Sequence, residues 1–344
     1  MWRGVPLHPR SGCVFGDCCW VVKGCSALNA GTHAGGDDGE SHGNRLPLHL
    51  PVLLQSTLAI LELRCGLVVV DGTVGAGGHA VAISQAIGPD GVVVGLDRDR
   101  EILVAARDAL AEAKETGAGA SFSLHYSSHA NLRKILSGAG QPRCDRVLLD
   151  LGVSSLQLDR PERGFSFMAD GPLDMRMDAD APLTAAQWLA KVPEQELADT
   201  LFQLGEERFS RRIARRIVEE RRRTQIARTR QLAELVVSAL PGHARHGRIH
   251  AATRTFQAVR MAVNDEMGEL ERGMQAAVDC LAPGGRLAVI SFHSIEDRFV
   301  KHFMRSSLEV VTKKPITATP LEARQNPRAR SAKLRCGIKP EAVA

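Results

Sequence analysis

Leu67-Val-Val-Val-Asp71-Gly-Thr-Val-Gly75-Ala-Gly77-Gly78-His79 decides how this chain is read. Leu67 to Val70 is a short apolar run with the length and β-branching of a buried strand. Asp71 ends it, four glycines turn the chain, and Ala80 to Ile87 reads as a helix. A strand, glycine turn and helix in this order open a nucleotide-binding α/β fold. Glycine is needed because the backbone must turn tightly and approach a ligand with no Cβ in the way. The spacing suits a dinucleotide poorly. The third glycine of G-x-G-x-x-G falls on Ala80, and Asp71 with Thr73 would set an acid against a pyrophosphate. A carboxylate there suits a ligand with a positive amine, such as the methionine part of S-adenosylmethionine. The alternative is a ligand-free tight turn, but four glycines and an acid exceed what a turn requires.

Downstream the alternation continues. Gly91 to Leu96 is a second buried strand ending at Asp97, about 20 residues past the glycines, where a ribose hydroxyl pair would be held. A surface role in Asp97-Arg98-Asp99-Arg100 is the alternative, and Asp97's position just past the strand argues against it. Glu101 to Lys114 is an alanine-rich helix. Ser121 to Tyr126 is a third strand, followed by Ser127-Ser128-His129, a loop that would lie against an adenine. His129 is a cofactor contact or a solvent-facing loop histidine. Arg146 to Asp150 is a fourth strand running into Leu-Gly-Val-Ser154-Ser155-Leu-Gln157, at the edge where parallel sheets bind ligands.

The alternation then breaks. Gly164 to Asp178 mixes apolar and charged residues in a loop too long for a passive linker. From Thr184 to about Pro241 the pattern is helical. Thr184 caps one helix, Pro193-Glu194 opens the next, and Phe209, Ile213 and Ile217 make one apolar face. The opposite face carries Arg211, Arg212, Arg215 and Arg216, with few acids to offset them. It reads as a solvated face or as a phosphate-facing surface for nucleic acid. Arg254 starts what reads as one long helix to Leu281, stopped by Pro283-Gly284-Gly285. Arg286 to Ser291 is a fifth strand, followed by Phe292-His293 and a helix from Ile295 to Met304. Leu308–Val311 and Ser331–Cys336 are placed to pair as an antiparallel edge. Lys313-Lys314 and Arg328-Ala-Arg330 form a second basic patch.

The expected architecture is therefore α/β with an all-helical insertion. Residues 46–160 and 251–344 form the sheet domain, 161–250 the insertion, and the two halves of the sheet must rejoin. Residues 1–45, rich in Gly, Cys and His, read as a disordered extension or a start assigned too far upstream. No apolar run approaches the ~20 residues of a membrane helix. Four of the eight cysteines lie in the first 25 residues and the rest are scattered, with no C-x-x-C pair. This points to free thiols in a reducing compartment and to no zinc site.

Methyl transfer from a sulfonium is in-line displacement, in which positioning supplies much of the catalysis. It needs no metal and no covalent intermediate. Ser154, Ser155 and His293 look like triad members, but no nucleophile elbow is present. An exocyclic base amine is a poor nucleophile, so it needs acceptors for its hydrogens and an aromatic surface to hold the base. Asp150, Phe292 and His293 are the candidates for those catalytic roles.

Six segments carry a close resemblance to a known family: Asp71–His79, Asp150–Asp159, Glu162–Asp178, Ala252–Arg260, Ser291–Arg298 and Asn326–Arg335. They look like the RsmH (MraW) family, and the similarity covers about residues 48 to 338. The resemblance implies a class I S-adenosylmethionine-dependent methyltransferase, with a Rossmann-like sheet and an inserted helical domain. It implies N4-methylation of a cytosine (cytosine 1402) in the decoding centre of 16S rRNA, within the small ribosomal subunit. By position, the family's cofactor contacts fall on Gly77, Gly78, His79, Asp97, His129, Asp150 and Gln157. One carboxylate, Asp150, would then serve both cofactor and amine. The expected RNA-binding residues are Arg211, Arg212, Arg215, Arg216, Arg254, Arg328 and Arg330. A cytoplasmic monomer or homodimer is expected, with no membrane partner. Two alternatives stand beside this: a methyltransferase of another substrate, whose binding would not weaken steeply with salt, and a non-catalytic assembly factor that binds cofactor without transfer.

Overall fold

A computed structural model describes residues 51–341, apart from 116, 118, 246 and 248. The extension expected over residues 1–45 lies outside the described residues.

Eight strands form one sheet: β1 Val68–Asp71, β2 Val92–Asp97, β3 Ser121–Tyr126, β4 Cys144–Asp150, β5 Leu281–Ser291, β6 Glu309–Val310, β7 Ile316–Thr317 and β8 Lys333–Ile338. Their order is β3-β2-β1-β4-β5-β8-β6, with β7 paired to β8. The pairs from β3 to β5 are parallel, while β8 runs antiparallel on β5 and also carries β6. The two halves of the sheet do rejoin: β5 lies against β4, with Val147 opposite Leu287 and Asp150 opposite Ile290. The strands read as unbroken Val, Leu and Ile because helices cover both faces. Val69, Val70, Val93, Val94, Leu148 and Ile290 are all fully buried. Each such side chain contributes roughly 1.5–3 kcal/mol of burial.

Between β4 and β5 the chain leaves the sheet. Helices Ala185–Lys191, Glu194–Gly205, Ser210–Arg221 and Thr229–Ala239 build a separate apolar core from residues such as Leu189, Leu201, Ile213, Ile217 and Leu232. Thr184 caps the first of them through a reciprocal pair with Gln187. Ala252, Phe256 and Val259 belong to this core as well. The helix Thr253–Val263 therefore serves the helical layer and leads back to the sheet.

One expectation is corrected here. Residues 254–281 are two helices, Thr253–Val263 and Glu266–Cys280, not one. The chain breaks at Asn264-Asp265, where Asp265 is left-handed (φ 47). The cause is the long loop beside it. Asn264 Oδ1 accepts the Met177 N–H at 2.7 Å, and its Nδ2 donates to the Met175 carbonyl at 2.7 Å. Asn264 thus satisfies the buried backbone of the loop Gly164–Asp178, while Arg98 from the end of β2 donates to its carbonyl at 3.1 Å. The fifth strand also begins earlier than expected. It runs from Leu281, with Pro283–Gly285 accommodated at a register shift against Cys144 and Arg146.

Candidate active site

The order of strands reverses beside β1, which has β2 on one side and β4 on the other. A crevice opens at such a switch point, above the carboxyl ends of the strands. Here it is a cavity of about 620 Å³ whose walls come from the β1 turn, β2, β4, β5, the long loop and the helix Thr253–Val263.

The glycine turn shapes one side. Gly75 (φ 53) and Gly77 (φ 90) adopt left-handed backbone, and a Cβ on Gly77 would meet the Ala106 backbone at 3.1 Å. Gly77 precedes the helix Gly78–Ile87. It stands behind the cavity wall, whereas Gly78, His79, Asp97, His129, Asp150 and Gln157 all line it.

Three carboxylates converge on this end. Asp71 is 1% exposed; its Oδ1 accepts the Thr73 N–H at 3.2 Å and its Oδ2 has no hydrogen-bond partner among the described residues. Burial pushes its pKa up to about 7, the Thr73 N–H opposes this, and Asp97 adds to it. Asp97 accepts the N–H groups of Gly75 (2.9 Å) and Asp99 (3.0 Å), and burial raises it to about 6 against those bonds. Asp150 accepts nothing at its buried Oδ1. Burial, with Asp71 and Glu296 as like charges, pushes it well above the ordinary carboxylate range. Crowded acids with bare oxygens fit a cationic ligand, and S-adenosylmethionine carries an amine and a sulfonium. Two of the three histidines that line the cavity, His79 and His129, add no positive charge. Burial lowers both His79 and His129 to about 4. His79 Nε2 contacts the Val52 carbonyl at 3.0 Å.

Gln157 is more committed than the sequence implies. Its Nε2 donates to Asp99 Oδ2 at 3.0 Å and its Oε1 accepts the Ser154 N–H at 3.1 Å. Asp99 is 3% exposed and also takes Arg163 Nη1 at 2.6 Å. It therefore ties β2 to the long loop and to the turn after β4. This hub was hidden in the sequence, where Asp99 looks like one charge in a mixed run.

Phe292 and His293 follow β5 and line the opposite wall. His293 caps the helix Ser294–Ser307: its Nδ1 accepts the Glu296 N–H at 3.3 Å, and its Nε2 lies 3.0 Å from Glu296 Oε1. The Phe292 N–H reaches Glu296 Oε2 at 2.9 Å. Burial opposes ionisation of Glu296, yet His293, the Phe292 N–H and Arg260 outweigh it and hold the carboxyl below its ordinary range. Both ring nitrogens of His293 face Glu296, which ties this wall to the start of the helix. Glu296 was legible only as the acid three residues after a capping residue. Glu266, His293 and Glu296 bring ligand atoms within 4.8 Å of one another. However, Arg260 grips both oxygens of Glu266 at 2.7 and 2.8 Å, so the charge a cation would supply is already there.

The remaining wall is aromatic. Four of the chain's ten phenylalanines, Phe165, Phe167, Phe256 and Phe292, line this one cavity. Phe167 is tilted against His250 with centroids 4.6 Å apart and meets Phe256 edge-on at 4.8 Å. In a chain poor in aromatics, this concentration points to a flat ligand. Sequence reasoning singled out Phe292 alone. The expected RNA-binding arginines divide. Arg328 lines the cavity and pairs with Asp159 at 3.1 Å. Arg211, Arg212, Arg215, Arg216, Arg254 and Arg330 do not line it, and Arg211, Arg212 and Arg215 are exposed on the helix Ser210–Arg221.

The chain's similarity to known proteins agrees with this geometry. Residues 47–339 match the MraW methylase family. The Ribosomal RNA small subunit methyltransferase H of Cyanothece sp. (strain PCC 7425 / ATCC 29141) is 50% identical over 298 residues, covering 86% of this chain and 96% of that protein. The protein of the same name from Thioalkalivibrio sulfidiphilus (strain HL-EbGR7) is 47% identical over 314 residues, covering 85% of this chain and 98% of its own. A family match over residues 47–339, with relatives 47–50% identical across nearly their whole length, shows that the chain belongs to the MraW methylase family.

Proposed function

We propose that this protein methylates N4 of a cytidine in small-subunit ribosomal RNA, at cytosine 1402 of the decoding centre, as a cytoplasmic enzyme acting on the small subunit. The observation that carries the reading is a single cavity. It joins an acidic, glycine-lined end, suited to S-adenosylmethionine, to a wall of four phenylalanines, and Asp150 lines the same cavity.

When bound, S-adenosylmethionine supplies an electrophilic methyl group on its sulfonium. Gly78, His79 and Asp97 are the residues that would hold it, with Asp71 providing negative charge beneath the turn. Asp150 accepts a hydrogen of the exocyclic amine and takes up the proton that the amine sheds. Burial and its like-charged neighbours raise its pKa well above the ordinary carboxylate range, so in its ionised form it is a stronger proton acceptor than an exposed carboxylate. Phe165, Phe167, Phe256 and Phe292 hold the base by its faces, as enzymes do that act on a base taken out of its stack. Glu296, through His293 and the Phe292 N–H, keeps that wall in place. The exposed arginines of the helix Ser210–Arg221 meet RNA phosphates.

Incubating the protein with methyl-labelled S-adenosylmethionine and small subunits lacking the modification tests the reading. Label in N4-methylcytidine at position 1402 is expected. Label in another nucleoside would discard the substrate, and bound cofactor without transfer would favour an assembly factor.

A further inference from the structure

A second cavity, of about 320 Å³, lies between the helix Ser294–Ser307 and the chain that follows β6. Its charged lining is entirely basic: Lys301, Arg305, Lys313 and Arg335. Buried Met304 and Thr312 form its floor. Among the described residues, no carboxylate lies within ion-pair distance of Lys301, Arg305 or Lys313. Arg335 is 5% exposed, and its Nε donates to Asp297 Oδ1 at 2.6 Å. No partner among the described residues takes its terminal nitrogens. Asp297 is shared, since its Oδ2 also accepts from Lys333 at 3.2 Å. One carboxylate therefore offsets two cations, Arg335 and Lys333, and the other three cations that line the cavity have none among the described residues.

Packing like charges around one concavity is unfavourable unless an anion enters it. A buried arginine with free terminal nitrogens is suited to a phosphate, which it meets with paired N–H donors. The helix sets the distance. His293, its capping residue, lines the main cavity. Lys301 follows eight residues later and Arg305 one turn beyond, so they stand about 12 and 18 Å along the axis. A strand whose base sits in the main cavity would lay its next phosphates along this helix. Val310 and Val311, 37% and 39% exposed beside the cavity, offer apolar surface to a sugar.

We propose that this basic cavity binds phosphodiester groups of the RNA strand flanking the target nucleotide. The proposal rests on the ribosomal RNA reading above. It adds an RNA contact surface on the β6–β8 edge, separate from the arginine helix of the insertion.

The test is the salt dependence of binding to unmodified small subunits, for the full chain and for Lys301→Gln/Arg305→Gln/Lys313→Gln. Arg335 is kept because it pairs with Asp297. Losing three phosphate contacts should lower the slope of log Kd against log salt by about 2, taking roughly 0.7 per contact on single strands. KM for the subunit should rise, while kcat, cofactor affinity and melting temperature hold. An unchanged slope in a folded variant, beside an active wild type, would overturn the proposal. So would saturable binding of inorganic phosphate at the cavity with an unaltered RNA slope, which would mark a small-anion site. If the wild type neither binds nor methylates the subunits, the substrate reading fails first and the proposal fails with it.

Discussion

Asp150 and His79 meet across the cavity, Oδ2 lying 3.6 Å from Nδ1. His79 spends its other nitrogen on the Val52 carbonyl, and burial holds the ring neutral above about pH 4. With Nε2–H donated to that carbonyl, Nδ1 presents a lone pair to the carboxyl. At 3.6 Å the two groups are in electrostatic contact rather than hydrogen-bonded, and a lone pair facing the carboxyl disfavours its ionised form. The contact therefore reinforces what burial, Asp71 and Glu296 already do to Asp150.

A pH dependence follows. Asp71 and Asp97 have folded pKa values raised to about 7 and about 6. Raised carboxylates bind protons in the folded state that the unfolded chain has already released. Their contribution to stability is thus present below about pH 4 and lost as pH rises through 6 and 7. A cationic cofactor reverses the preference, because it favours the ionised acids. S-adenosylmethionine should bind roughly tenfold more tightly at pH 8 than at pH 5.5, and its stabilisation of the melting temperature should grow over the same range. Calorimetric titration across that window checks this. Affinity that is flat or falls with pH would show that these acids do not face the cofactor's charge.

Phe167 should matter to RNA and not to cofactor. It stands against His250 and Phe256 on the aromatic wall. Stacking on one aromatic side chain is worth ~1–3 kcal/mol per base. Phe167→Ala should therefore lower kcat/KM for the subunit by about 10- to 100-fold, with cofactor affinity within about twofold of wild type. Steady-state kinetics at several subunit concentrations would reveal it.

Asn264 supports the loop that carries much of this wall. Replacing it with Ala orphans the Met177 N–H and the Met175 carbonyl, both held at 2.7 Å. An unsatisfied buried group costs ~1–3 kcal/mol. Thermal unfolding of Asn264→Ala should fall by several degrees, and Asn264→Asp should recover only the Met177 contact.

Much of the fold was legible because its signals are local. A run of valines, an acid and four glycines fixed the first strand and turn. Thr184 with Gln187, and Phe209, Ile213 and Ile217, marked helices by capping and spacing. The break at Asn264-Asp265 was not legible, since neither residue is Gly or Pro. Asn and Asp are poor helix formers that tolerate left-handed backbone, a weak local signal, and the turn is fixed by a loop nearly ninety positions away in sequence. The site divides in the same way. Asp71, Asp97 and Asp150 are strand-end acids and announce themselves. Phe167, Phe256 and His250 lie on separate segments and become a wall only after folding. Asp99 and Glu296 look like surface charges until burial gives each a set of partners.

The most direct test of the account is single-turnover methyl transfer by Asp150→Asn at saturating S-adenosylmethionine, read as N4-methylcytidine in small subunits. Asparagine keeps the shape and one acceptor oxygen but cannot take up a proton. Positioned acid–base groups typically contribute 10²–10⁴-fold, so transfer should slow by at least about 100-fold while the variant still binds cofactor. Transfer at the wild-type rate would contradict the role of Asp150, and with it the placement of the target amine in this cavity.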